Sequence, residues 1–103
     1  MEAEQIYTLV EVAKATGKIK KGVNEVTKTL EKGIAKAVVI ASDANPKEIT
    51  MHLPILGKEK EIPVVEIPSK EELGAAAGLP VSTVAIAIID AGDAKTDVEA
   101  LKE

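Results

Sequence analysis

The sequence predicts an α/β domain, a sheet covered by helices on both faces. Three observations carry that reading. Residues 37–41 and 84–89 are apolar throughout, as strands are when both of their faces are buried. Segments of helical period, opened by capping residues and closed by glycines, alternate with these runs. Hydrophobic residues make up 46% of the chain but aromatics only 1%, so branched aliphatics must fill the core, which suits helices laid on a sheet. At 103 residues the chain, residues 1–103, is expected to be a single domain.

The elements follow in order. Residues 3–16 read as a helix with Ala3, Ile6, Val10 and Ala13 on one stripe and Gly17 placed to end it. A short basic stretch, 18–21, leads to Gly22. A second helix runs over about 23–32 and stops at Gly33. After the strand at 37–41, Asn45, Pro46 and Glu48 have the spacing of an N-cap, a first helical residue and a first-turn acid. The helix they open is expected to reach about Lys60, with Pro54 as a break or kink. Residues 64–67 form a strand, Ser69 to Glu72 a capping box for a short helix ending near Gly78, and 84–89 another strand. Asp93 is placed to cap a last helix reaching Leu101. This pattern does not fix the strand order.

Charge is unevenly spread. The net charge is −4, yet residues 14–36 hold seven lysines (Lys14, Lys18, Lys20, Lys21, Lys28, Lys32, Lys36) against two acids, Glu25 and Glu31. That segment carries +5 and the rest −9, a basic strip on an acidic body that can draw a polyanion to one face. A solvated lysine surface would show the same composition. There is no Cys, which excludes disulfides and thiolate metal sites. No apolar run approaches the length of a membrane span, and the N-terminus lacks the marks of a signal peptide, so a cytoplasmic protein is expected.

Catalytic candidates fail one by one. Gly17 and Gly22 have the glycine spacing of a phosphate loop, but Val23 and Asn24 stand where Lys and Ser/Thr belong. His52 is the one histidine, and packing or surface exposure accounts for it better than ligation. Ser42 and Asp43 follow a strand, where turn formation is their natural role. The chain is expected not to be an enzyme and to use no cofactor or metal.

The informative segment is residues 20–28. On a helical wheel Val23, Val26, Leu30 and Ile34 fall inward, while Asn24, Glu25, Lys28 and Lys32 face solvent. Asn24 and Glu25 sit in the first turn, able to donate to and accept from base edges, with Lys28 and Lys32 further along for phosphates. An ordinary amphipathic helix would look the same. A second segment, Leu79-Pro80-Val81, is an apolar loop able to cover a base turned out of its stack, or simply to close the core.

With these segments in place, the chain resembles the kink-turn-binding ribosomal protein family: the archaeal large-subunit protein L-seven-Ae and its eukaryotic small-nucleolar and spliceosomal relatives. The likeness rests on Lys-Lys-Gly-x-Asn-Glu-x-Thr-Lys at 20–28, Lys32-Gly33-Ile34-Ala35, His52-Leu53-Pro54, Ile62-Pro63-Val64, Ser69-Lys70-x-x-Leu73-Gly74 and Ala77-Gly78-Leu79. It implies a three-layer α/β/α sandwich around a mixed four-stranded sheet, and a scaffold that binds kink-turn RNA in ribosomal or guide-RNA particles. By that resemblance Gly22, Asn24, Glu25 and Lys28 lie at the tandem sheared G·A pairs and adjoining backbone, and Lys21 beside them is a further candidate. Val81 and Val84 belong to the loop at the extruded nucleotide with Lys70 near it, and Leu79 of the same apolar loop is a further candidate. The implied partners are RNA and ribonucleoprotein assembly proteins, with the free protein a monomer. Val23 departs from a usual small or hydroxyl residue, Glu66 from an apolar or aromatic one and Gly57 from a frequent Cys. No Arg is present, so bidentate contacts are absent. The rival expectation is a protein-interaction module, or an engineered or divergent scaffold, of the same fold with RNA binding weakened or lost.

Overall fold

A computed structural model describes residues 2–43 and 51–101. Its elements are α1 (Ala3–Thr16), β1 (Lys18–Lys21), α2 (Val23–Glu31), β2 (Ala37–Ala41), α3 (His52–Glu59), β3 (Val64–Ile67), α4 (Lys70–Ala76), β4 (Ala85–Asp90) and α5 (Lys95–Ala100). The four strands form one sheet in the order β1-β4-β2-β3. β4 runs antiparallel to both β1 and β2, whereas β2 and β3 are parallel, joined through the crossover that contains α3.

Side chains of β2 point alternately to two apolar layers, and all five of its residues are buried. On one face Val39 and Ala41, with Ile67 and Ile86, meet Ile6 and Val10 of α1 and Leu73 and Ala76 of α4. On the other, Val38 and Ile40, with Ala85 and Ala87, meet Val26 and Leu30 of α2 and Leu53 of α3. A third cluster, in which Leu9, Ala13 and Ile88 meet Ala94 and Val98, seats the α5 region against α1. This is the sandwich around a mixed four-stranded sheet that the resemblance implied. Each fully buried Leu or Ile here contributes about 1.5–3 kcal/mol of transfer free energy.

Several details differ from the sequence reading. The basic stretch 18–21 is an edge strand. Its lysines hide the signal because only Ile19 faces the core. α2 ends at Glu31, and Gly33 takes a φ of 69°, so Ile34 leaves the helical wheel and is 48% exposed. Thr29 takes the buried place instead, its hydroxyl donating to the Val26 carbonyl at 2.7 Å. Pro54 does not break α3. It is the third residue of that helix, where a backbone N–H would have no intrahelical partner, and His52 is the first residue rather than a mid-helix one. The expected start at Asn45, Pro46 and Glu48 lies outside the described residues. β4 begins one residue later than expected, leaving Val84 in the loop before it.

Asp93 does not cap the last helix. Residues Gly92–Ala94 form a 3-10 turn, and α5 starts after Ala94. The Thr16 hydroxyl accepts from the Asp93 N–H at 2.9 Å and the Asp90 carboxylate from the Gly92 N–H at 3.0 Å. The turn is thereby fastened to the end of α1, and Asp93 is held outside the capping position. Gly57 is buried in α3, and a methyl group there would strike the Val64 side chain and come within 2.9 Å of the Ile62 carbonyl. Glu66 is exposed on edge strand β3, so its charge remains in water.

Candidate functional site

The site forms where β1 hands over to α2. Lys21 ends β1 in an exposed position, and Gly22 turns the chain with φ 88° and ψ 145°, a region that only glycine occupies without strain. That turn directs α2 so that Val26 and Leu30 are buried on the sheet while Asn24, Glu25 and Lys28 are exposed. Asn24 and Glu25 lie in the first turn, beside N–H groups without intrahelical partners. Lys32, also exposed, is the C-cap of α2. Eight residues beyond Asn24, it is about 12 Å further along the axis. The structure therefore gathers Lys21, Gly22, Asn24, Glu25 and Lys28 closely and leaves Lys32 at the far end of the same face.

Long-range hydrogen bonds bring in the second segment. The Gly22 N–H donates to the Ala85 carbonyl at 3.1 Å, and the Ala41 N–H to the Val84 carbonyl at 2.9 Å. The first ties the start of α2 to β4, the strand that the 79–84 loop enters, and the second ties the end of that loop to β2. The Thr83 N–H donates to the Lys70 carbonyl at 3.1 Å, which places Lys70, the first residue of α4, against the same loop. Asp43 supports it: its carboxylate accepts from the Lys70 N–H at 2.9 Å, while the Ser69 hydroxyl caps α4 by accepting from Glu72 N–H at 3.2 Å. Ser42 and Asp43 lie in the turn after β2, and the Asp43 carboxylate fastens that turn to the start of α4.

The loop residues divide their duties. Leu79 is half-buried and packs on the α1–α4 layer, so it closes the core. Pro80 is exposed, Val81 is 65% exposed, and Val84 is half-buried. Val81 is therefore the apolar side chain of this loop most available to cover a base. Gly74 of α4 lies directly beneath, with the Val81 carbonyl and Ser82 backbone against the place where its side chain would be.

The sequence reading placed Lys14, Lys18 and Lys20 in the basic segment but not in the site. They line a depression of about 540 Å3 together with Lys21, Glu25, Ala77 and Leu79. The clustering of lysines at 14–21 was the available signal. His52, by contrast, is exposed with Nε2 2.8 Å from the Thr27 hydroxyl, a surface polar contact between α3 and α2.

Among the described residues no group of three or more His, Asp or Glu is arranged to hold a metal ion, and no helix is long and apolar enough to cross a membrane. The chain is similar to a solved "15.5kD RNA binding protein" from Giardia lamblia, with 34% identity and a TM-score of 0.88, covering 96% of this chain and 82% of that one. It is also similar to a protein from Bacillus halodurans whose function is described as unknown, with 26% identity and a TM-score of 0.79 over 98% of each chain. The model of a ribosomal rather than an enzymatic family matches residues 4–98. The chain belongs to the ribosomal protein L7Ae/L30e/S12e/Gadd45 family.

Proposed function

We propose that this protein is an RNA-binding scaffold that recognises the kink-turn, a sharply bent RNA element, in ribosomal or guide-RNA particles. The observation that carries the proposal is the joining of two exposed segments. Asn24 and Glu25, flanked by Lys21 and Lys28, are exposed at the start of α2, and the Gly22–Ala85 hydrogen bond ties that start to the strand that the 79–84 loop enters. Family membership and the RNA binding ascribed to the Giardia relative support it.

In this reading Glu25 accepts from base amino and imino groups and Asn24 both donates and accepts, so the pair reads the edges of the tandem G·A pairs. Gly22 lets the backbone approach without a side chain. Lys21, Lys28 and Lys32 neutralise phosphates as point charges. Val81, with Lys70, Leu79 and Val84 behind it, covers the extruded nucleotide. No bond is made or broken. The protein binds the bent conformer better than the extended one and shifts the RNA equilibrium by that difference in affinity. Assembly proteins then meet a preformed bend, in the cytoplasm.

Titration against a kink-turn RNA and against the same RNA with its G·A pairs disrupted, each at two salt concentrations, tests the proposal. Strong preference for the intact element is expected. Equal, weak and steeply salt-dependent binding to both would reduce the site to a generic lysine patch and favour the protein-interaction reading.

A further inference from the structure

We infer that Lys14, Lys18 and Lys20 form a second RNA contact, a strip that holds the phosphate backbone of a stem leading away from the kink. The inference rests on the RNA-binding reading above but concerns different residues and a different part of the RNA. Lys14 comes from the last turn of α1, and Lys18 and Lys20 come from β1. All three line the depression that also has Lys21, Glu25 and Leu79 in its wall. The strip and the base-reading site therefore share a border, and one RNA can cross from one to the other.

The Lys14 side chain lies across Gly78, whose φ is 72°, and any side chain at that glycine would run into it. A lysine from α1 is thus laid at the root of the 79–84 loop. Edge protection of a strand accounts for charges on β1, and the helix dipole for a lysine late in α1. Neither accounts for four lysines from two elements lining one concavity in which Glu25 is the one acid. Because lysine offers a compact charge rather than a planar fork, such a surface suits phosphates and not base edges. A concave wall of that kind matches the ridge of a backbone, and each neutralised phosphate adds to the salt dependence.

The test compares the wild type, a Lys14→Gln/Lys18→Gln/Lys20→Gln variant and a Lys58→Gln/Lys60→Gln/Lys95→Gln control that removes equal charge elsewhere. Each is titrated against kink-turn RNAs with long or truncated stems, with G·A pairs intact or disrupted. Circular dichroism melts confirm folding, since Lys14 and Lys18 are exposed and Lys20 half-exposed. On the long-stem RNA the first variant should lose about tenfold in affinity at low salt, with the slope of log K against log salt shallower by about 2–3. It should keep the wild-type ratio of intact to disrupted binding and lose little on the truncated stem. Wild-type-like affinity for the long stem, an equal loss on the truncated stem, or an equal loss in the control variant would overturn the strip. Failure of the kink-turn reading would show separately, as a wild type indifferent to the G·A pairs, and the long-stem comparison would still decide whether the strip exists.

Discussion

The two edges of the sheet are charged with opposite sign. Edge strand β1 carries Lys18, Lys20 and Lys21, whereas edge strand β3 carries Glu66 and is approached through Glu59 and Glu61. A charge of either sign discourages a strand from pairing with another molecule, so edge protection explains that both are charged but not that they differ. In the proposed reading the difference in sign is where function enters, because the basic edge leads directly into Asn24 and Glu25. Four strands put the edges about 14 Å apart, beyond the Debye length of about 8 Å at physiological salt. The acidic edge therefore subtracts little from the attraction at the basic one. A net charge of −4 is compatible with a polyanionic partner for that reason.

The largest expected effect breaks the comparison at its functional end. Asn24→Ala and Glu25→Ala should each weaken binding to intact kink-turn RNA by about 1–3 kcal/mol while leaving binding to G·A-disrupted RNA nearly unchanged, by analogy with lost base-edge contacts. Both side chains are exposed, so thermal melts should match the wild type. Wild-type affinity in both variants would remove this site from the proposal and leave only charge to distinguish the two edges.

Two buried glycines sharpen the comparison next. Gly74 lies under the Val81 and Ser82 backbone, near the basic side, and Gly57 under Val64, a residue of the acidic edge strand. Alanine at either position overpacks the interior and should cost about 1–3 kcal/mol of stability. Only Gly74→Ala displaces the 79–84 loop, so it alone should also weaken RNA binding, by several-fold at a temperature where both variants remain folded. Denaturant melts paired with RNA titration measure both. Equal effects of the two glycines on binding would show that the loop's position does not matter.

Much of this was legible in the residues. Helix α1 and strands β2 and β3 fall where periodicity and apolar runs set them, because each of these signals is local. The outward face of α2 was legible too, since a helical wheel needs only the spacing of Asn24, Glu25 and Lys28. What stayed hidden depends on partners distant in sequence. β1 is held by pairing with β4, and three lysines in four residues give no strand signal of their own. Ile34 was lost to the turn at Gly33, and Asp93 to the hydroxyl of Thr16. The link from the start of α2 to the strand that the 79–84 loop enters is a hydrogen bond between Gly22 and Ala85, which no window of sequence contains.

The smallest expected effect tests the acidic edge itself. Glu66→Lys reverses the charge at an exposed position of β3, so folding stability should stay within about 0.5 kcal/mol of the wild type. If screening isolates the two edges, affinity for kink-turn RNA should change by less than about twofold at physiological salt. At about 0.01 M salt the Debye length grows to about 30 Å, comparable to the 33 × 30 × 22 Å extents of the molecule, and a modest gain should appear. A titration series across that range separates the two regimes. A large gain at physiological salt would mean that RNA reaches β3 directly, and the opposition between a binding edge and a merely protected edge would have to be given up.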